Sequence, residues 1–149
     1  MLAVKSIDFV SIHEEAAPFL LAITAEGGNR FARPIEWDVK TGVKIKWKSK
    51  IGAMTFGIPV VANGLVWIGT NNENPRDPND AKSAGVLMCF RETDGKFLYQ
   101  NVSPARQGPA YNQAQTGISC SPLIEGDWLW FVTPGAEVLC LDIGPLRPR

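Results

Sequence analysis

The stretch Pro59-Val60-Val61-Ala62-Asn63-Gly64-Leu65-Val66-Trp67-Ile68-Gly69 decides the fold. Two short apolar runs of strand-like composition flank its Asn-Gly pair. Both residues of this pair readily adopt the positive φ that the central positions of a type I′ turn require, so the pair is a strong local signal for a two-residue β-hairpin. The stretch therefore predicts a hairpin that turns at 63–64.

The hairpin has a second copy 63 residues further along the chain. Residues 58–70 align with residues 121–133 without a gap. Three pairs are identical in this alignment: Pro59 with Pro122, Trp67 with Trp130, and Thr70 with Thr133. The turn pair of the second copy is Gly126-Asp127, which also suits a tight turn. We therefore expect two equivalent hairpins, with Trp67 and Trp130 on the same side of their sheets.

A further strand repeats at a different spacing. Residues 86–90 (Val-Leu-Met-Cys-Phe) align with residues 137–141 (Glu-Val-Leu-Cys-Leu), a shift of 51. The shifts of 63 and 51 differ by 12, so the first copy carries a 12-residue insertion between Thr70 and Gly85. An earlier partial copy is present as well, since residues 37–42 resemble residues 90–95 and 141–144.

A repeat of roughly 50 residues that consists of short strands is typical of β-propeller blades. The predicted fold class is all-β: a partial β-propeller with about two four-stranded antiparallel blades at 43–90 and 96–142. The expected strands are 43–51, 57–62, 65–70 and 85–90 in the first blade and 96–101, 118–124, 128–133 and 137–142 in the second, with one outer strand of a preceding blade at 35–39. The propeller segment is predicted to span 34–149, after an unassigned N-terminal segment, 1–33.

The composition agrees with short strands and argues against several classes of protein. The 149 residues include 14 Gly and 11 Pro, which break helices. The 15 basic and 15 acidic residues give a net charge of zero, which argues against a nucleic-acid partner. No apolar run reaches the roughly 18 residues of a transmembrane helix, and the apolar stretch 16–25 makes a poor signal peptide. The cysteines Cys89, Cys120 and Cys140 form no closed disulfide set and no CxxC pair, so we expect them to be buried.

The order and spacing of these motifs resemble the pyrroloquinoline-quinone-like (PQQ-like) repeat of quinoprotein alcohol dehydrogenase-like β-propellers, which are related to the outer-membrane assembly lipoprotein. The resemblance covers about residues 35–144, and Arg91 departs from it where flanking copies have aspartate. The positions that mark the repeat are Trp37, Asp38, Gly42, Trp47, Pro59, Gly64, Trp67, Gly95, Tyr99, Pro122, Gly126, Trp130 and Asp142. Proteins of this family are often periplasmic or extracytoplasmic.

The resemblance implies a non-catalytic repeat segment that acts in protein interaction or scaffolding. A fragment of a PQQ-dependent dehydrogenase is one alternative, and it alone would need PQQ and calcium. A propeller that binds a carbohydrate or another small ligand is the other. The single histidine, His13, leaves no material for a histidine-based triad or metal cluster. We therefore expect no catalytic residue, no metal and no cofactor.

Two long loops are the predicted binding elements, because long loops on a rigid scaffold often carry function. They are the insertion after Thr70 and the stretch 102–117, and the alternation of strand directions places both at one edge of the blades. The alternative is that both are insertions without a binding role. The candidate binding residues are Asn71, Asn72, Glu73, Arg76, Asp77, Arg106, Gln107, Tyr111, Asn112 and Gln113.

Two blades fall short of the about four to eight that close a propeller ring. An end blade lacks a neighbour, so we expect a protein partner or self-association through an open blade face. The expected open face carries either Val60, Val66 and Ile68 or Leu129 and Phe131. The alternating lysines of the stretch 44–51 are expected to form a solvated strand face.

Overall fold

The computed structural model describes residues 9–10, 19–23, 38, 40–105 and 116–148. This part of the chain forms ten strands and one short 3-10 helix, with no α-helix. The elements are β1 (Phe9–Val10), β2 (Phe19–Ile23), β3 (Ile45–Lys50), β4 (Val60–Ala62), β5 (Leu65–Asn71), β6 (Ala84–Arg91), β7 (Phe97–Pro104), β8 (Leu123–Glu125), β9 (Trp128–Val132), β10 (Val138–Asp142) and the helix Gly144–Leu146. The all-β prediction is confirmed.

The strands form three sheets in which every pairing is antiparallel. The N-terminal sheet has the order β1-β2-β3, the middle sheet β4-β5-β6-β7, and the C-terminal sheet β8-β9-β10. Each sheet is thus a meander of strands that follow one another in sequence, which is the simplest antiparallel topology.

The strands are grouped differently from the predicted blades. The predicted first strand, 43–51, contains β3, which pairs with β2 of the N-terminal sheet, where Trp47 lies opposite Ala22. The predicted strand 96–101 lies in β7, which pairs with β6 and completes the middle sheet. The turn before β7 therefore closes a hairpin instead of separating two blades. The sequence of residues 1–33 has no clear strand pattern, so it does not predict β2 as the pairing partner of β3.

Two other sequence predictions fall largely outside the described residues. The predicted outer strand at 35–39 is described only at Asp38, which is not in a strand. Trp37 and the predicted boundary between residues 33 and 34 lie outside the described part of the chain.

Both predicted hairpin turns are present. Asn63 and Gly64 have φ of 56° and 75°, as a type I′ turn requires. In the second hairpin Glu125 pairs with Trp128 across a two-residue loop, and Gly126 has a φ of 60°. The local turn chemistry thus acts as the sequence predicts.

The middle sheet is covered on both faces. Every residue of β5 is buried, as central strands are when other layers pack on both of their faces. One face, with Val66, Ile68 and Phe90, packs against Trp47 of the N-terminal sheet. The opposite face, with Leu65 and Trp67, packs against the C-terminal sheet. The three sheets therefore stack face to face in chain order, and two apolar cores lie between them.

The residues predicted for the open face are wrong. Val66 and Ile68 are fully buried against the N-terminal sheet, and Leu129 and Phe131 are buried against the middle sheet. Val60 is half-buried. For Val66 and Ile68 the reason is the regrouping of β3, which supplies the cover that the predicted first blade lacked. Leu129 and Phe131 lie on the face of β9 that points to the middle sheet.

Candidate interaction surface

The C-terminal sheet has one face that no described residue covers. Side chains alternate along a strand. Leu129 and Phe131 of β9 point to the middle sheet, so Trp128, Trp130 and Val132 point away from it. The cross-strand registers with β8 and β10 identify the rest of that face. We call it the outer face, and its residues are Leu123, Glu125, Trp128, Trp130, Val132, Val138, Cys140 and Asp142.

The outer face is apolar and exposed at its centre. Val138 is 70% exposed, Leu123 65%, Trp128 51% and Val132 45%. Trp130 is half-buried among these side chains. Contiguous exposed apolar patches are typical of protein interaction sites, so the outer face is the candidate interaction surface of the described residues.

The border of the outer face is acidic. Glu125 and Asp142 lie on either side of Trp128, each directly opposite it on a neighbouring strand. Both residues are exposed. Nearby, Arg147 is paired with Asp127 at 2.7 Å and donates a second hydrogen bond to the carbonyl oxygen of Gly126. The carboxylates of the outer face are therefore not neutralised by that arginine.

The opposite end of the stack is basic. Lys46, Lys48 and Lys50 alternate along β3 on the face that points away from the middle sheet, and all three are exposed. The inward residue Trp47 donates from Nε1 to the carbonyl oxygen of Glu92 at 2.9 Å. The lysines form the solvated strand face that the sequence predicts.

The insertion, residues 72–83, folds back onto the sheets, and several of its polar groups are engaged, although the buried Oδ1 of Asn72 has no hydrogen-bond partner among the described residues. Asn72 is buried and donates from Nδ2 to the carbonyl oxygen of Ala81. Asp77 accepts hydrogen bonds from the backbone and side chain of Asn79. Asn71, which precedes the insertion, accepts from the backbone N–H of Met54. These predicted binding residues thus hold the loop in place, whereas Glu73 is exposed.

Arg76 of the insertion contacts both the N-terminal sheet and the middle sheet. Its Nη2 donates to the carbonyl oxygen of Lys50 at 2.6 Å. Its guanidinium carbon lies 4.3 Å from the centroid of the Phe97 ring and 5.6 Å from that of Phe90. Partial burial lowers the pKa of Arg76, yet the group stays charged at neutral pH. Arg76, a predicted binding residue, therefore contacts the protein's own aromatic rings.

The two long loops leave from the same edge, as predicted. The backbone N–H of Asn72 donates to the carbonyl oxygen of Ala84, and that of Ala105 donates to Ser83. The end of β7 therefore lies beside the start of β6. The candidate residues Arg106, Gln107, Tyr111, Asn112 and Gln113 lie outside the described part of the chain.

An open cleft of about 490 Å³ lies between residues 116–120 and the β9–β10 turn. The thiol of Cys120 hydrogen-bonds with the backbone of Val132, and the hydroxyl of Thr133 accepts from the backbone N–H of Glu137. These two polar groups of the cleft are therefore engaged within the protein.

The cysteines differ in their surroundings, which corrects the expectation that all three are buried. Cys89 is buried between the sheets, and desolvation raises its thiol pKa to about 12. Cys120 is half-buried, and Cys140 is exposed on the outer face. No group of three or more His, Cys, Asp or Glu residues in the described ranges is arranged to hold a metal ion.

Comparisons with known proteins give no family assignment. No protein-family model matches the chain, and no curated protein matches it. Among the described residues, no helix has the length and apolar character needed to cross a membrane.

The outer face was missed by sequence reasoning, although its signal is present. Trp128, Trp130 and Val132 alternate with Leu129 and Phe131, so β9 is apolar on both faces. A strand of this composition is typical of a sheet that is covered on both sides. In the described structure only one side is covered.

Proposed function

We propose that this chain is a non-catalytic segment of a β-propeller of the PQQ-like repeat type, which acts in protein interaction through its outer face. The segment serves as a scaffold whose outer face receives another β-sheet. The partner's sheet would bury the exposed indoles and aliphatic side chains there.

The observation that supports this proposal most directly is a difference between two equivalent sheet faces. Another sheet packs on one of them, and no described residue packs on the other. In the middle sheet, Trp67 lies between Val60 and Cys89 on neighbouring strands. In the C-terminal sheet, Trp130 lies between Leu123 and Cys140 in the same way. Trp67 is fully buried by the next sheet. The face of Trp130 points in the corresponding direction and has no such cover among the described residues.

The turns between strands support the repeat. The N–H of Gly42 donates to the carbonyl oxygen of Asp38, whose own N–H donates to Val43. The residues 91, 95 and 96 make the same pair of hydrogen bonds. Both glycines have positive φ, 77° at Gly42 and 70° at Gly95. The two turns therefore share one hydrogen-bond pattern and one glycine conformation, although the first begins with aspartate and the second with arginine.

The outer strands support it as well. A register shift between Ala22 and Ile23 lies beside Trp47 in the N-terminal sheet. A register shift between Cys89 and Phe90 lies beside Tyr99 in the middle sheet. Conserved geometry of this kind is expected where one structural unit is repeated along a chain.

Site-specific photo-cross-linking tests the proposed interaction. A benzophenone amino acid at position 138 places the probe on the outer face, where Val138 is 70% exposed. The same probe at position 58 is the matched control, because Ile58 is also 70% exposed and lies outside the outer face. We expect a discrete protein adduct from position 138 and none from position 58. Equal labelling from both positions, or no adduct from position 138, would contradict the proposal.

The non-catalytic part of the proposal has its own test. The purified chain is mixed with PQQ, calcium, an alcohol and a redox dye. We expect no dye reduction above that of the mixture without protein. Dye reduction that requires the chain and both additions would overturn the proposal in favour of a dehydrogenase segment.

A further inference from the structure

We infer that the occupant of the outer face is the N-terminal sheet of a second copy of this chain, joined head to tail. This inference rests on the proposed function, since it names the partner of the same surface. It follows from charge complementarity and from the way in which the sheets of one chain already stack.

The charges at the two ends of the stack are opposite. The outer face carries the exposed carboxylates of Glu125 and Asp142 beside Trp128. The other end presents the exposed lysines of β3. Lysine extends its aliphatic stem along apolar surface and keeps its ammonium group at the edge. It also binds the face of an indole ring. A lysine-bearing sheet therefore suits an outer face of indoles with an acidic border.

The same charges disfavour contact between two outer faces. Such a contact would bring together the carboxylates of Glu125 and Asp142 from both copies, and the exposed Glu137 lies beside Val138 at the other end. No lysine or arginine belongs to the outer face. Like charges that face each other across an interface oppose binding. The head-to-tail arrangement avoids this repulsion.

Head-to-tail joining also continues the stacking that exists within the chain. The N-terminal sheet is followed by the middle sheet and then by the C-terminal sheet, with an apolar core in each gap. A second copy placed with its N-terminal sheet on the outer face extends this order in the same direction. The buried surroundings of Trp67 show how a following sheet covers a face of this register.

The number of copies follows from the requirement that the sheets close into a ring. A head-to-tail interface generates a ring if the rotation closes and a filament if it does not. Rings of short-stranded blades hold about four to eight blades. The described residues of each copy form three sheets, so two copies bring six, whereas three copies bring nine and exceed that range. We therefore infer a closed dimer of about twice the chain mass of 16.3 kDa.

Light scattering after size exclusion tests the dimer. We expect the wild-type chain to have about twice the monomer mass at micromolar concentration and to dissociate as salt rises. Val138→Lys places a charge on the outer face and is expected to give a monomer that keeps the near-ultraviolet circular dichroism of its fold. Ile58→Lys is the control with equal exposure and is expected to remain a dimer. A folded wild-type monomer at all concentrations would overturn the inference.

A charge exchange separates the head-to-tail arrangement from other dimers. In a dimer of the variant Lys46→Glu, Lys48→Glu, Lys50→Glu, the new carboxylates would face the acidic border of the outer face. In a dimer of Glu125→Lys, the new lysine would face the lysines of β3. We expect each to be monomeric alone and the two to form a mixed dimer, because both interfaces of that pair are complementary. A triple variant that dimerises like the wild type would overturn the inference.

The outcomes separate this inference from the proposed function. A wild-type monomer that still forms a specific adduct from position 138 with a different protein contradicts the second copy and leaves the interaction surface intact. A monomer without any such adduct contradicts both. A wild-type dimer whose cross-link joins position 138 to β3 of the other copy supports both.

Discussion

Gly95 illustrates how a single residue of the repeat limits what can stand at a turn. A Cβ at this position would lie 2.5 Å from the ring of Trp47, and the φ of 70° is unfavourable for other residues. A shift of the Trp47 ring would strain the hydrogen bond from its indole N–H to the carbonyl oxygen of Glu92. Close packing of the indole on the backbone therefore requires glycine.

We predict that Gly95→Ala destabilises the chain more than Gly42→Ala. Gly42 has a similar φ of 77° with nothing near its missing side chain, so alanine there carries only the backbone cost of about 1–2 kcal/mol. Gly95→Ala adds the displacement of Trp47 and should cost about 2–5 kcal/mol in total. Urea unfolding of both variants measures the difference. Equal losses would contradict the close contact.

Acid should weaken the turn before β7. The backbone N–H of Lys96 and then the Arg91 guanidinium lower the pKa of Asp94 below its ordinary value of 3.8. A carboxyl with a lowered pKa in the fold stabilises it above its unfolded pKa, and this contribution is lost as the pH falls through the folded pKa. We therefore expect Asp94→Asn to be less stable than the wild type at about pH 7 and nearly equal to it at about pH 2. A constant difference in denaturant unfolding across this range would contradict the assignment.

Residue-scale predictions from the sequence succeeded where the cause is local. Asn63 and Gly64 reveal their turn because positive φ depends on the residues themselves. No sequence pattern indicates that Arg76 bonds to Lys50 and lies over Phe97, because these partners are remote along the chain. The structure therefore gives Arg76 an intramolecular role that the sequence pattern does not indicate, and its contact with a partner stays a prediction.

At the scale of elements, the insertion 72–83 depends on Arg76 for its position. Arg76→Ala removes the hydrogen bond to Lys50 and the contact with Phe97. The loss should be about 1–2 kcal/mol, since an exposed cation–π pair contributes about 0.5–1 kcal/mol and the hydrogen bond about as much. We predict faster amide hydrogen exchange in residues 72–83 of this variant. Glu73→Ala, at an exposed site, is the control and should leave the exchange unchanged.

The existence of most strands was predictable, but their assignment to sheets was not. Each strand from β3 onward overlaps a predicted strand, and β5, β6, β7 and β8 extend beyond the predicted bounds by one to three residues at an end. The partner of a strand is set by contacts that are distant in sequence, and β2 lies in a stretch without a clear pattern. The predicted blades therefore began one strand too early.

At the scale of the whole molecule, the sequence predicts that one sheet face is uncovered, but it does not identify the residues of that face. A short series of sheets leaves an end uncovered wherever strands are apolar on both sides, as β9 is. In β9, Leu129 and Phe131 point toward the middle sheet, so the uncovered end carries Trp128, Trp130 and their neighbours. The interaction surface could be identified only once the sheets were assigned.

The rate at which Cys140 is alkylated tests the role of the outer face most directly. Cys140 is exposed beside Trp130 in the single chain, whereas a second copy would cover it. We predict that its alkylation slows several-fold as the protein concentration rises, and that the triple variant Lys46→Glu, Lys48→Glu, Lys50→Glu reacts quickly at every concentration. Cys89, which is buried in the single chain, should be protected throughout. A wild-type Cys140 that reacts at one rate from dilute to concentrated solution would contradict the association of copies through this face.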